Sequence, residues 1–160
     1  MTRVCLIGDP DCTLQYELLS RETSRDALAT YDLTRPFENS LAVRTVSIGA
    51  AVSLLNDLDW YLTRFVEEAL VLEPSVSEDE WLSRSLAEAL RNGETEARET
   101  AEFCKLYGLE RAEGDEDEPP THRLVEPLYV RRTGGELPEY DLRDVEETLV
   151  VRLTEAEYTP

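Results

Sequence analysis

Lysine is almost missing from this sequence: Lys105 is the only one in 160 residues, against fifteen arginines. His122 is the only histidine, so a Ser-His-Asp triad would have to be built on one residue bordering an acidic segment. No apolar run reaches the roughly 18 residues that would suggest a membrane span. The opening MTRVCLIGDP lacks the length and cleavage pattern of a secretory signal. Both features lead to the expectation of a cytoplasmic protein without membrane contact. Cys5, Cys12 and Cys104 form an odd set without Cys-x-x-Cys spacing, which argues against a disulfide framework. Together with His122 their separations match no usual zinc-ligand pairing, and buried thiols are expected instead. The turn at Gly8 lacks the further glycines of a dinucleotide or P-loop fingerprint.

Acid is abundant. Asp and Glu number 35 against 16 Lys and Arg, a formal charge of -19. Acid excess combined with lysine scarcity is the pairing expected of a protein that works in molar potassium. At about 1 M salt the Debye length is roughly 3 Å, and distant carboxylates scarcely repel one another. The same charge would repel nucleic acid, and no basic stripe offsets it. Acidic mimicry of DNA would use the charge differently, but halophilic adaptation needs fewer assumptions.

The length suits a single domain, 1–160, able to bury a sizeable core unaided. Residues 110–121, ERAEGDEDEPPT, are nearly without apolar side chains and read as a flexible acidic loop. The run RVCLI at 3–7 reads as a central buried strand closing on Gly8, and 41–48 as a second strand. Leu14, Tyr16 and Leu18 alternate as in a strand, while Leu14, Leu18 and Leu19 suit a helix, the favoured reading; Ser24 is placed to cap another helix through Ala29. From about Ala50 to Leu72, Ala51, Leu55, Leu58, Leu62, Phe65, Val66 and Ala69 form one stripe at 100° per residue, which predicts a long central helix. A capping box at Ser77–Glu80 predicts a helix ending at Gly93, and Ala97, Ala101 and Cys104 suggest another over 94–107. Leu124–Val130 and Thr148–Leu153 suit a carboxyl-terminal β-hairpin, with a turn at Thr133–Glu136. The expectation is α+β: a small mixed sheet packed with a long central helix and two further helices, plus that hairpin.

Two constellations suggest function. After the strand Val4–Ile7 comes Asp9-Pro10-Asp11-Cys12-Thr13-Leu14. This segment resembles the first motif of haloacid-dehalogenase-like phosphatases, in which a strand ends in Asp-x-Asp-x-Thr-Leu. The resemblance implies Asp9 as nucleophile, Asp11 as general acid-base, a bound Mg²⁺ held by both, Ser47 and Lys105 on the phosphate, and Asp115 or Asp117 as the late metal-binding acid. The alternative is a plain strand-ending turn, since Asp and Pro are favoured turn residues and acids are common in this chain.

The second constellation is Trp60, about 160° from the middle of the apolar stripe, with Arg64 one turn on. Trp and Arg are enriched at binding hot spots, so the pair reads as a contact for another protein or a second copy. Another segment folded over that face would explain it equally. Trp81 reads as a local contact at a helix start. Asp59, about 60° from the stripe centre, sits at the edge of the buried face, where an acid could serve catalysis or be held structurally by a hydrogen bond to Asn56 or Thr63.

From MTRVCLIGDP through SLLNDLDWYLTRFVEEAL, over roughly the first 110 residues, the chain resembles a family of small, uncharacterised acidic proteins of halophilic archaea. That resemblance implies no activity, cofactor or catalytic residue. The reading is of a non-enzymatic interaction or regulatory module without a cofactor, the Mg²⁺-dependent phosphatase being its rival.

High net charge destabilises a compact state once screening is withdrawn. Circular dichroism across a potassium chloride titration is therefore expected to show loss of structure and a falling melting temperature towards about 0.05 M salt, where screening is weak. Unchanged melting down to that concentration would contradict the halophilic reading.

Overall fold

In the computed structural model, which describes residues 1–111, 122–132 and 147–159, the RVCLI run becomes β1 (Thr2–Gly8), with β2 (Ser40–Thr45) and β3 (Val66–Leu72) antiparallel on either side. β4 (Trp81–Ser83), β5 (Phe103–Arg111), β6 (His122–Arg131) and β7 (Glu147–Leu153) complete a mixed sheet of order β2-β1-β3-β4-β7-β5-β6. Every pairing is antiparallel except β4 with β7.

The sheet curls until its edges nearly meet. Thr34 exchanges backbone hydrogen bonds with Ala42 of β2, and three residues later Phe37 bridges His122 of β6, the Glu38 N–H donating to the His122 carbonyl at 2.8 Å. An extended stretch next to Pro36, which disfavours helix in its neighbour, thus spans the two edge strands.

Alternation along the strands divides the side chains between two cores. Outward-facing Val4, Leu6, Leu41, Val43, Val71 and Leu82 pack under the helices. These are α1 (Leu14–Leu19), α2 (Glu22–Leu28), α3 (Ile48–Asp57), α4 (Asp59–Phe65) and α5 (Arg84–Arg91). Inward-facing Cys5, Ile7, Ala42, Leu70, Leu72, Trp81, Tyr107, Leu109, Leu149, Val151 and Leu153 fill the barrel-like interior. The short α6 (Glu155–Tyr158) follows β7 behind a capping box on Thr154.

The mixed α and β content agrees with expectation; three elements do not. The long central helix is α3 and α4, meeting at Leu58, followed by a strand. VEEALVL passed for helix because a strand apolar on both faces carries no clean period of two. The 94–107 helix is a short 3-10 turn, Ala97–Glu99, leading into β5, whose two faces are both buried in part. The carboxyl-terminal hairpin is absent because β5 lies between β6 and β7 and pairs with both.

Smaller corrections follow the same logic. The Ser77–Glu80 box precedes β4, and α5 is capped by Ser83 instead. Ser24 lies inside α2, its hydroxyl bonding the carbonyl of Leu18. Trp81 is an interior β4 residue. Asp59 is exposed and pairs with Arg84 at 2.8 Å. The acidic loop lies outside the described residues apart from Glu110 and Arg111, which end β5; so does the Thr133–Glu136 turn.

Beside β4, Glu80 accepts from Arg152 Nε at 2.8 Å and from Arg132 Nη2 at 2.9 Å. The guanidiniums continue to Thr100 Oγ1 and the Ala101 carbonyl. Burial pushes the Glu80 carboxyl upward, but the hydrogen bonds and charges of the two arginines outweigh it and hold the group below its ordinary value of 4.5. A depressed folded value gives stability that is present above pH 4.5 and lost as pH falls through the folded value. Glu80→Gln is therefore expected to cost about 2 kcal/mol at pH 7, less than a fully buried pair loses because part of the side chain is wet. In chemical denaturation at constant high salt that deficit should shrink below pH 4.5; a deficit constant with pH would refute the electrostatic account.

Candidate functional site

Three places bring chemistry-bearing side chains together. The first is the turn after β1. The Asp9 carboxylate accepts from the Asp11 N–H at 3.0 Å, and the Asp9 carbonyl accepts from Cys12 N at 3.1 Å. Asn39, in the left-handed region at φ 53, pins this turn from β2's side. Its Nδ2 donates to the carbonyls of Asp9 and Cys12, both at 3.0 Å, and its Oδ1 accepts from Leu14 N at 2.8 Å. A cleft of about 580 Å³ opens beside it, bordered by Gly8, Thr13, Arg35, Glu38, Glu67 and Arg123 among others.

Ser47 of the phosphatase reading is not gathered here. β1 and β2 are antiparallel, with Thr2 opposite Thr45 and Ile7 opposite Ser40. Ser47 therefore follows the far end of β2 and caps α3 through Ala50 N, beyond the Thr2 end of β1, whose seven residues to Asp9 alone span about 23 Å at roughly 3.3 Å per residue. Asp115 and Asp117 lie outside the described residues. Among the described residues no three His, Cys, Asp or Glu side chains converge to hold a metal ion. Asp9 and Asp11 build an Asx turn, the chemistry Asp favours at strand ends.

The second place is inside the curled sheet. Lys105 Nζ donates to Glu68 Oε2 at 2.5 Å, and Tyr107 Oη donates to the same oxygen at 2.6 Å. Alternation aims Glu68 inward with Leu70 and Leu72, and places Lys105 and Tyr107 on the same side of β5. The two strands are not neighbours, so curling is what lets these side chains meet. The side chains of Lys105 and Glu68 are only 12% and 13% exposed. Burial, then the neighbouring Glu68 charge and hydrogen bond, push the Tyr107 phenol far above its ordinary value, so it remains a neutral donor. Lys105 stands out in the sequence as the sole lysine; Glu68 and Tyr107 do not, because a helix over 50–72 with that apolar stripe puts Glu68 on its polar side.

The third place is Trp60 on α4, where it joins Arg64 as the sequence indicated. Arg64 lies over the ring at 3.9 Å and also donates to the Trp60 carbonyl at 2.8 Å. Arg21, just before α2, approaches at 5.5 Å, and Phe65 meets the ring edge-on at 6.2 Å. Trp60 nonetheless stays 46% exposed. The segment on that face is the α1–α2 junction, whose Arg21 the sequence reading did not include.

A Cβ on Gly8 would stand 2.5 Å from Asn39 Nδ2 and 2.8 Å from Leu14 Cβ. Gly8→Ala is therefore expected to destabilise by about 1–3 kcal/mol, as overpacking does. Thermal melting checks this, and Asn39→Ala combined with Gly8→Ala should cost less than the sum of the two singles. Additive losses would show that Gly8 and Asn39 do not act on each other.

Among curated proteins and among solved structures, neither search finds a match. Residues 2–109 match the Family of unknown function (DUF5804), a span that holds Trp60, Arg64, Glu68, Lys105 and Tyr107 and stops short of β6 and β7. This chain belongs to that family of unknown function.

Proposed function

We propose that the protein is a non-enzymatic protein-interaction module whose docking face is centred on Trp60. The observation that carries this reading is a half-exposed indole held by two guanidiniums. A large aromatic ring left in water costs solvation free energy that another side chain of the same chain would ordinarily relieve. Here the neighbours hold the ring without covering it. Cation–π contacts and the Arg64 bond to the Trp60 carbonyl limit its rotamers before any partner arrives, which lowers the ordering cost of association.

The charge around the ring points to the partner. Arg21 and Arg64 converge at this spot on a chain of net charge -19. A protein with an apolar pocket rimmed by carboxylates complements it. Lysine scarcity and acid excess support operation in molar potassium, in the cytoplasm of a salt-loving archaeon. Apolar contact suits that solvent, since screening weakens exposed ion pairs and leaves burial intact.

Pull-down from lysate at molar potassium chloride, wild type against Trp60→Ala, is expected to lose its specific partners, with sedimentation testing self-association in parallel. Truncation of such an anchor should cost on the order of 2 kcal/mol, about 30-fold in Kd. Identical partner lists and identical sedimentation for wild type and variant would rule this face out.

A further inference from the structure

A chain that uses fifteen arginines and one lysine has placed that lysine inside its curled sheet, bonded to a carboxylate. For holding Glu68 alone, arginine is the stronger choice: it makes two parallel hydrogen bonds and keeps its charge at every relevant pH. A buried ion pair is also weak in net stabilisation, and apolar side chains of similar size often do as well. What lysine has and arginine lacks is an amine that can give up a proton and then attack carbon.

The surroundings hold the ammonium and give it a proton acceptor. Glu68 Oε2 accepts from both Lys105 and Tyr107, so its position is fixed while Lys105 Nζ stays within proton-transfer reach. The rings of Tyr107 and Tyr129 stand 5.1 Å and 5.9 Å from the ammonium. Tyr129 is half-exposed, so the cluster borders solvent on that side.

We propose that Lys105 is the nucleophile of a site for a small aldehyde or ketone, with Glu68 as its proton-transfer group. The Lys105 ammonium passes a proton to Glu68, leaving an amine and a carboxylic acid. The nitrogen lone pair forms a bond to the carbonyl carbon, and the carbonyl π electrons move to oxygen, which takes the proton from Glu68. Glu68 then removes a proton from nitrogen and delivers it to the hydroxyl, which departs as water while the nitrogen lone pair closes the C=N⁺ bond. Ammonium plus carbonyl has become protonated imine plus water, and Glu68 is again a carboxylate. No oxidant or reductant enters. This site is independent of the Trp60 face.

The chain carries two amines, Lys105 and the Met1 amino group, so the test is simple to read. The full chain in molar potassium chloride is incubated with propanal, and separately with pyruvate, in the presence of cyanoborohydride, and modified positions are mapped by mass spectrometry. The expected result is an adduct on Lys105 that forms at least about tenfold faster in the folded chain than in guanidinium, as general acid-base assistance implies. Glu68→Gln, with its circular dichroism unchanged, should remove that advantage. Lys105 unmodified in the folded chain while Met1 reacts, or modified no faster than when unfolded, would overturn the proposal. That comparison uses wild type alone and stands even if the Glu68 variant does not fold.

Discussion

Two residue pairs, Trp81 with Val151 and Leu82 with Arg152, join the halves of the sheet. On one side lie β2, β1 and β3 under the helices; on the other lie β7, β5 and β6. β4 is three residues long, and a parallel pairing of that length offers few backbone hydrogen bonds. The seam holds through its flanks. Trp81 and Leu82 bury their side chains in opposite cores. Glu80, one residue earlier, draws in Arg132 from the end of β6 and Arg152 from β7. The interior cluster, the meeting of Lys105 with Glu68 and the approach of β6 to Phe37 all depend on this curvature.

The seam also explains which elements could be read from the sequence. β1 was legible because its Gly8 stop and unbroken apolar run admit no amphipathic helix. β6 and β7 were legible as strands, but their partner was not, since pairing order is set by the curl and not by adjacency in the chain. β3 and β5 were illegible for one shared reason. Each is buried on both faces, so apolar residues fall at every spacing and a period near 3.6 fits as well as two. Assigning VEEALVL to helix turned Glu68 towards solvent, which concealed the residue that gives Lys105 its partner.

The sites divide along the same line. Trp60 and Arg64 lie on a true helix, where angular position reads directly, and they meet as expected. The Asp9–Asp11 segment was legible as a turn, and the Asp9 carboxylate accepts from the Asp11 N–H that follows it. Ser47 does not neighbour Asp9, because β2 runs antiparallel to β1. The residue after the end of β2 therefore lies at the opposite end of the strands from Asp9.

The acid load bears on all of this through what it leaves for the cations to do. With 35 carboxylates, a cation at the surface finds an acid nearby almost anywhere, and such exposed pairs contribute little. Arg98 with Glu96 and Arg131 with Glu102 are of this kind, with all four side chains largely wet. The cations that shape the fold are the few withdrawn from solvent: Arg132 and Arg152 on Glu80, and Lys105 on Glu68. Arg132 forks onto Glu80 through both Nη atoms, and Arg152 divides its donors between Glu80 and Thr100. Lys105 presents one compact donor to an oxygen already shared with a phenol. A structural clamp would gain from the fork that Lys105 lacks.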